Sequence, residues 1–396
     1  MKSIFRIIFA IVAISLVACK EPDYGSIPDT TITSLGTPNN NEIWFTTVDG
    51  RELFSLNRGA FNVEIENIDY SEYGVCAIRF KGALTTIGSN AFSGCHNLFN
   101  ISLPNSVKEI GERAFYDCFN MESLTIGDGL SHCKSMAFNG CYSLHSLHIP
   151  AIYNWCKITF DSPDSNPLYY ACRLFVNKVR IETLNIPDGI ESISSYAFYN
   201  NSAITEVNIP ASLKSVGSNA FSGCDYIEKV IVRSVKRWSE IKFENEEANP
   251  LSIAEKLYLK QIVEEKETTT EVRNIELKDV ANIGPYVFIN CHSIESFTSD
   301  NALTAIGLDA FRNCTSLTNV FLGEGISEIG KHGFMGCKAL NSFTCLAQQP
   351  PQLGNDYVFE YNNEERKFYV PSAAVDAYKS NEKWSKYADS IEPFDI

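Results

Sequence analysis

The chain of 396 residues carries 48 Asp and Glu against 33 Lys and Arg, a formal net charge of −15. This charge repels phosphate backbones and anionic lipid head groups, so nucleic acid is excluded as an expected partner. The hydrophobic content is 44%, with 23 Gly and 15 Pro, and this mixture favours many short strands and turns over long helices.

Residues 1–18 have the pattern of a lipoprotein signal peptide, in which Lys2 and Arg6 flank the start of a short apolar run. The run ends in "LVAC", which resembles the bacterial lipobox and implies that Cys19 is lipidated and becomes the mature N-terminus. An ordinary secretory signal with an incidental Cys is the alternative. No later run approaches the ~20 apolar residues of a membrane span, so we expect membrane contact only through the lipid on Cys19.

Residues 19–40 are rich in Pro, Asn, Thr and Asp and poor in large apolar side chains. Such a segment cannot bury enough surface to order itself, and the composition predicts a tether. Its early acidic residues Glu21 and Asp23 weakly resemble signals that send some lipoproteins to the cell surface, although a charged linker explains them equally well.

An Ala-Phe or similar pair recurs along the chain, and five of the seven intervals between its Phe residues are 23 residues long. Aliphatic side chains stand eight before each Phe, and further apolar side chains stand six and nine after it. Self-similarity at this period predicts a leucine-rich repeat solenoid, in which each coil must stack on its neighbours to bury its apolar face. The eight Phe residues are Phe92, Phe115, Phe138, Phe198, Phe221, Phe288, Phe311 and Phe334.

The pattern within one repeat predicts short strands and turns with few short helices, in a right-handed coil capped at both ends. Apolar and small polar residues alternate in Ile101-Ser102-Leu103, as in a strand with one face buried. Gly111, Gly307 and Gly330 stand four before a Phe, where we expect a tight corner that a Cβ atom would obstruct.

A cysteine follows three after most of these Phe residues, at a position that points into the stack. A small polarizable thiol packs well there. Neighbouring thiols should lie near the ~4.8 Å strand spacing with parallel side chains, an orientation unsuited to a disulfide, so we expect buried thiols with scattered disulfides as the alternative. The cysteines at this position are Cys95, Cys118, Cys141, Cys224, Cys291, Cys314 and Cys337.

These repeats, of the form "IG..AF..C..L..I.IP", resemble the BspA-like leucine-rich repeat surface lipoproteins of Gram-negative anaerobes of the Bacteroides type. The resemblance covers residues 84–346 and implies longer insert coils at 151–186 and 234–277, each with a strand, an Asn-Pro turn, a short helix and a returning strand. It also implies an N-terminal β cap at 41–83 and a capping module at 347–396, with a helix from about Ser372 to Lys379.

The sequence contains none of the motifs that mark common enzymes, and the spacing of its six His residues fits no metal site. The acidic loops at 161–166 and 244–249 occupy matched places in the two inserts, which raises calcium as an alternative to solvated loops. We therefore expect no enzymatic activity, no cofactor and no metal.

The outer face of the repeat strands is the remaining candidate surface, formed by residues eight and ten after each Phe. A broad hydrogen-bonding surface without a deep pocket suits a macromolecule better than a metabolite. Unusual side chains such as Phe321 indicate anchor points, although random surface variation is the alternative. The candidate binding residues are His148, Asn208, Lys229, Ile231, Thr298, Asn319, Phe321 and Thr344.

The leading functional hypothesis is a monomeric, lipid-anchored protein of the outer membrane, exposed at the cell surface. The family resemblance implies adhesion to an extracellular-matrix protein of a host or coaggregation with another cell. The alternatives are a glycan-binding accessory lipoprotein, in which Phe321 stacks on a sugar, and a structural protein of the envelope.

Overall fold

The computed structural model describes residues 35–71 and 74–395, which form two compact units. The first unit extends to residue 182 and includes 194–203 and 221–224. The second unit contains 183–193, 204–220 and the chain from 225 onward. The predicted signal peptide, Cys19 and the tether up to residue 34 lie outside the described residues.

The described part of the first unit contains many short strands, several of them only two residues long. Its strands are β1 Glu42–Thr47, β2 Ile65–Asp69, β3 Cys76–Phe80, β4 Thr86–Ile87, β5 Leu98–Ser102, β6 Glu109–Ile110, β7 Ser123–Thr125, β8 His132–Cys133, β9 Ser146–Ile149, β10 Thr159–Phe160, β11 Arg173–Val176 and β12 Val179–Arg180.

The second unit repeats the same alternation of short and longer strands. Its strands are β13 Thr183–Asn185, β14 Ser192–Ile193, β15 Glu206–Ile209, β16 Ser215–Val216, β17 Lys229–Val232, β18 Lys242–Phe243, β19 Leu257–Val263, β20 Lys266–Glu271, β21 Asn274–Leu277, β22 Asn282–Ile283, β23 Ser296–Ser299, β24 Ala305–Ile306, β25 Asn319–Leu322, β26 Glu328–Ile329, β27 Ser342–Cys345, β28 Gln352–Leu353, β29 Lys367–Pro371 and β30 Ile391–Phe394.

Within residues 35–71 and 74–395 the helices are few and short, as the sequence predicts, and they lie in the two inserts and at the C-terminal end. The α-helices are α1 Ile152–Trp155, α2 Val235–Ser239, α3 Leu251–Ala254 and α4 Val375–Ser380. The 3₁₀ helices are Pro163–Ser165, Pro167–Tyr169, Glu246–Ala248, Ser372–Ala374 and Trp384–Ser390.

The described residues of the first unit form two sheets, and most of their strands are parallel. The longer strands form an eight-stranded sheet in the order β12-β11-β9-β7-β5-β1-β3-β2, and the short strands form a four-stranded sheet in the order β10-β8-β6-β4. Antiparallel pairing occurs at the edges, where β1 pairs with β3 and β5, β2 pairs with β3, and β11 pairs with β12.

Four sheets form the second unit. The longer strands give a five-stranded sheet, β13-β15-β17-β19-β20, and a six-stranded sheet, β21-β23-β25-β27-β29-β30. The short strands give β14-β16-β18 and β22-β24-β26-β28. All of this pairing is parallel except for the hairpin between β19 and β20. Parallel pairing of strands from successive repeats is the arrangement expected of stacked coils.

The Phe residues of successive repeats stack on one another in the core. The rings of Phe92 and Phe115 are 5.0 Å apart and within 3° of parallel, and those of Phe311 and Phe334 are 5.1 Å apart at 5°. All four are fully buried. Burial of one such side chain contributes about 1.5–3 kcal/mol to the free energy of folding. The column of rings therefore stabilises the packing of neighbouring coils.

The repeat cysteines have a second role beside packing. The thiol of Cys118 donates to the Phe92 carbonyl at 3.1 Å, and that of Cys314 donates to the Phe288 carbonyl at 3.1 Å. Cys141, Cys224 and Cys337 make the same bond to the Phe of the preceding coil. Each of these carbonyls also accepts from a backbone amide of its own coil, so the thiol adds a second hydrogen bond that links one coil to the next.

The cysteines at repeat positions are buried, in agreement with the sequence-based expectation, and no disulfide joins the cysteines between residues 35 and 395. Burial raises the pKa of the Cys95 and Cys291 thiols to about 11, and it raises that of the Cys118 and Cys314 thiols well above the usual value. These thiols stay protonated at neutral pH, which makes them poor nucleophiles and poor metal ligands.

The two inserts attach to the following coil by the same side-chain contacts. Trp155 donates its Nε1–H to the Ala197 carbonyl at 2.7 Å, and Asn166 donates to the Tyr196 carbonyl at 2.6 Å. In the second insert, Trp238 and Asn249 bond to the carbonyls of Val287 and Tyr286 in the same way, at 3.0 and 2.7 Å. The helices that carry the two Trp residues, α1 and α2, are not predicted from the sequence.

The repeat pattern continues beyond residue 346 in the structure. Strand β28 pairs in parallel with β26, and Phe359 stacks on Phe334 at 5.8 Å and 7°. This coil is longer than 23 residues, which hides it from a search at fixed period. The predicted helix from about Ser372 to Lys379 is confirmed by the 3₁₀ turn Ser372–Ala374 and α4.

The predicted tight corner is confirmed at Gly111. A Cβ atom added there would lie 2.6 Å from the carbonyl carbon of Gly88 and from the amide nitrogen of Ser89 in the preceding coil. Both contacts are with backbone, which cannot move aside without disturbing the stack. The corner therefore requires glycine because of close backbone approach.

We expect Gly111→Ala to lower the free energy of unfolding by about 1–3 kcal/mol, because the methyl group overpacks a backbone contact. Gly82→Ala is the matched control, since its added Cβ would meet only the Val63 Cγ1 atom, at 3.6 Å. The control should change stability by less than about 1 kcal/mol. Urea unfolding of the two variants measures the difference, and equal stabilities would contradict the role of the corner.

Candidate functional site

The outer face of the six-stranded sheet brings several predicted residues together. Thr298, Phe321 and Thr344 are in register on β23, β25 and β27, so their side chains form one row across the sheet. Asn319 lies exposed in the adjacent row, next to Ser342. The parallel register places equivalent residues of successive repeats side by side, as the sequence predicts.

Two aromatic residues that sequence reasoning missed lie on this face, Tyr369 in the same row and Phe394 two positions further along β30. Tyr369 is in register with Thr344, and the ring of Phe394 lies 6.5 Å from that of Phe321 at 74°. Phe321, Tyr369 and Phe394 are all partly exposed. Tyr369 and Phe394 do not fall on the 23-residue spacing of the repeats. The alternation of residues in "KFYVP" and "IEPF" could nevertheless have placed them on this face.

Polar groups surround these three rings. Lys367 and Glu392 form an ion pair at 3.0 Å, and the Ser372 hydroxyl donates to Asp395. We name the set Phe321, Tyr369 and Phe394, with Thr298, Asn319 and Thr344, the aromatic face. It combines apolar anchors with a hydrogen-bonding rim, the usual composition of a protein interface.

The five-stranded sheet holds another group of the predicted residues. Asn185, Asn208, Ile231 and Tyr258 form one row across β13, β15, β17 and β19. A depression of about 230 Å³ lies beside this row. It is lined by residues of the row and by those two positions later in the same strands or just after them, such as Pro187, Pro210 and Lys260. Lys229, two residues before Ile231 on β17, is exposed and is in register with Glu206 on β15. The Glu206 carboxylate accepts a hydrogen bond from the Asn208 side-chain amide at 3.0 Å.

The expectation that all eight candidate residues face solvent is wrong for three of them. His148 is 5% exposed, and Ile231 and Thr344 are each 7% exposed. In a parallel ladder, a larger neighbour in register covers a smaller side chain. Phe175 stacks on the His148 ring at 4.6 Å, Tyr258 adjoins Ile231, and Thr344 lies between Phe321 and Tyr369.

His148 is a buried imidazole without a hydrogen-bond partner among the described residues. Burial lowers its pKa to about 4, because the protonated ring would lose its hydration without gaining a partner. The ring is therefore neutral at pH 7, stacked on Phe175. This environment suits an aromatic core residue and makes His148 an unsuitable contact for a partner.

The acidic residues of the two insert loops bond to neighbouring coils. Asp161 lies 2.7 Å from His132 Nε2, and Asp164 accepts from the Asn139 amide at 2.8 Å. Glu244 accepts from the amide and hydroxyl of Ser218, and Glu246 pairs with Arg312.

Asn166 and Asn249 use their side chains to hold the following coil and to cap their own turns, at the Leu168 and Leu251 amides. In the part of the chain that the structure describes, no group of three or more His, Cys, Asp or Glu could hold a metal ion.

Short strands with parallel in-register pairing, stacked Phe and Cys residues inside and small polar residues outside define a leucine-rich repeat protein. The chain belongs to the family described as the BspA-type leucine-rich repeat region, whose model matches six copies over residues 63–161, 171–279 and 281–380. Sequence resemblance to this family is thereby confirmed. No curated protein matches the sequence.

Several solved structures are similar to the chain. A leucine-rich repeat protein from Bacteroides ovatus is 19% identical, with a TM-score of 0.35, over 91% of this chain and 100% of that one. A leucine-rich cell surface protein from Faecalibacterium prausnitzii is 19% identical, with a TM-score of 0.38, over 83% and 86%. The pneumococcal vaccine antigen PcpA is 16% identical, with a TM-score of 0.37, over 79% and 85%.

Across residues 35–71 and 74–395, none of the helices has both the length and the apolar character needed to cross a bilayer.

We expect His148→Phe to make stability less dependent on pH on the acidic side. The unfolded chain protonates His148 near pH 6.5, whereas the folded state resists protonation down to about pH 4. The stability that the neutral ring provides is therefore fully present above pH 6.5 and is lost as the pH falls toward 4.

Between pH 7 and pH 5 the wild-type protein should lose about 2 kcal/mol more unfolding free energy than the variant. Urea unfolding at pH 7, 6 and 5 measures this loss. Phe keeps the stacking on Phe175, so a variant that folds but shows the same pH dependence as the wild type would contradict the assignment.

Proposed function

We propose that this protein is a lipid-anchored adhesin of the outer membrane that binds a protein partner through the aromatic face. The observation that carries the proposal is the grouping of Phe321, Tyr369 and Phe394, partly exposed, among hydrogen-bonding side chains. Exposed aromatic anchors within a polar rim are characteristic of binding hot spots. Family membership supports a binding role over catalysis.

The lipobox-like "LVAC" supports lipidation of Cys19, which would leave the chain after it as the tether. The predicted end of the tether at residue 40 is too late, because the Gly36 and Asn40 carbonyls already accept hydrogen bonds from Ser102 and Leu84. We propose that the protein acts as a monomer, that its coil is right-handed, and that residues 41–83 and 347–396 close its two ends. Asn208 and Lys229 provide further candidate contacts on the five-stranded sheet. The buried His148, Ile231 and Thr344 support their neighbours instead of contacting the partner directly.

Surface exposure is the first requirement of the proposal. Proteinase K added to intact cells should digest the protein while a periplasmic control protein survives, as detected with an antibody to residues 347–396. Protection until the cells are lysed would rule out adhesion and would place the partner inside the envelope.

Simultaneous Phe321→Ala, Tyr369→Ala and Phe394→Ala substitutions should weaken adhesion of cells displaying the full-length protein at least about tenfold, because the anchors are removed. The surfaces tested are purified fibronectin, laminin and type IV collagen. Tyr226→Ala is the matched control, since this tyrosine is exposed in the same unit but lies outside the aromatic face. Adhesion that survives the triple substitution would contradict the proposal.

Glycan binding is the second candidate, because aromatic rings also stack on sugars. A glycan array distinguishes the two. Binding to glycans, but to none of the three matrix proteins, with the glycan signal lost in the Phe321→Ala variant, would replace the protein partner by a saccharide.

A further inference from the structure

A cluster of five tyrosines lies among the turns of the first unit, apart from the strands that carry the predicted binding residues. The rings of Tyr142 and Tyr170 meet at 5.7 Å and 89°, and Tyr169 contacts Tyr170 at 4.8 Å. Tyr169 also stacks on Tyr199 at 5.7 Å and 6°, and Tyr199 contacts Tyr196 at 6.0 Å. We name these five residues the tyrosine cluster.

The rings of the tyrosine cluster are accessible. Tyr142 is 71% exposed, and the other four are partly exposed. The cluster therefore offers aromatic surface to a ligand from solvent.

The second insert provides an internal control, because it folds in the same way without these rings. In both inserts an Asn of the following coil donates to the backbone carbonyl after the Asn-Pro-Leu turn: Asn200 to Tyr169 at 2.7 Å, and Asn290 to Ser252 at 3.0 Å. The backbone contact is thus independent of the side chain at that position. At the places equivalent to Tyr142, Tyr169, Tyr170 and Tyr199, the second insert and the coils on either side of it have Asp225, Ser252, Ile253 and Ile289.

The fold does not require four of the five tyrosines, so their accumulation at one insert needs another explanation. A contiguous exposed aromatic patch marks a binding surface more often than a structural element. Two of its rings are also held in place. The Tyr170 hydroxyl accepts from the Gly140 amide at 3.1 Å, and the Tyr169 ring is fixed by stacking on Tyr199. Fixed rings lose little conformational entropy when a ligand binds.

We propose that the tyrosine cluster is a binding site for an uncharged saccharide chain. The perpendicular rings of Tyr142 and Tyr170 form a corner in which one face of a pyranose can stack while its edge contacts the second ring. Phenol hydroxyls at the border can hydrogen-bond to sugar hydroxyls.

The charge of the chain selects the ligand class. The formal net charge is −15, and the neighbouring turns carry Asp117 and Asp164. Asp117 contacts His96, and Asp164 accepts from the Asn139 amide. An acidic sugar at this site would therefore meet further negative charge. Uronic acids, sialic acids and sulfated sugars are therefore repelled, whereas a neutral chain is not. This site shares no residue with the aromatic face.

The test replaces the tyrosine cluster with the residues of the second insert, as Tyr142→Asp, Tyr169→Ser, Tyr170→Ile and Tyr199→Ile. Titration calorimetry of the full-length protein uses hexasaccharides of β-1,4-glucose, α-1,4-glucose and α-1,6-mannose, with a hyaluronan hexasaccharide as the acidic probe. At least one neutral probe should bind, and the fourfold variant should bind it at least about tenfold more weakly. Tyr153→Ala, which removes an exposed tyrosine outside the cluster, should leave its Kd unchanged.

Three outcomes overturn the proposal: no binding to any neutral probe, tighter binding of hyaluronan, or neutral binding that the fourfold variant retains. Should the fourfold variant fail to fold, Tyr142→Ala removes the most exposed ring and should still weaken binding at least about threefold. The fourfold variant should also keep its adhesion to matrix proteins. Loss of that adhesion, without saccharide binding by the wild type, would show that the cluster docks a protein.

Discussion

In-register stacking of equivalent residues is the constraint on which the rest of this structure depends. Because successive coils pair in parallel without a shift, each side chain contacts the same repeat position in the next coil. Rings such as those of Phe115 and Phe138, 5.3 Å apart and within 3° of parallel, follow from this geometry. So does the bond from five of the seven repeat thiols to the preceding Phe carbonyl, since one register places these donors opposite an acceptor.

The same constraint explains which parts of the fold the sequence predicts. Repeat positions that keep one residue type, such as those of the Phe, the Cys and the corner Gly, are predictable because the same residue recurs at the same place in several repeats. The N-terminal strand β2, the helices α1 and α2 and the coil around Phe359 occur outside the regular period, so their evidence is local and weak. Trp155 and Trp238 mark the inserts in the sequence, but their bonds to the next coil depend on a long-range approach that spacing cannot reveal.

The candidate site is predictable to a smaller extent. Alternation along a strand correctly assigns a side chain to the outer face, but exposure also depends on its neighbours in the ladder. His148 lies on that face and is nevertheless buried against Phe175, whereas Phe321 gains Phe394 as a neighbour from the distant C-terminal strand. Binding residues in a repeat protein are therefore easier to assign by row across the sheet than by position within one repeat.

The hairpin of β19 and β20 has a mechanical consequence for the second unit. Strand pairing among the described residues stops at β20 on one sheet and at β18 on the other, and it resumes at β21 and β22. Across this interval the coils are joined by the Trp238 and Asn249 side chains and by isolated backbone bonds such as that from the His292 amide to Glu255. A pulling force along the chain would meet a continuous ladder elsewhere in this unit, but separate side-chain and backbone bonds here. The second insert is consequently the point at which this unit should yield first under load.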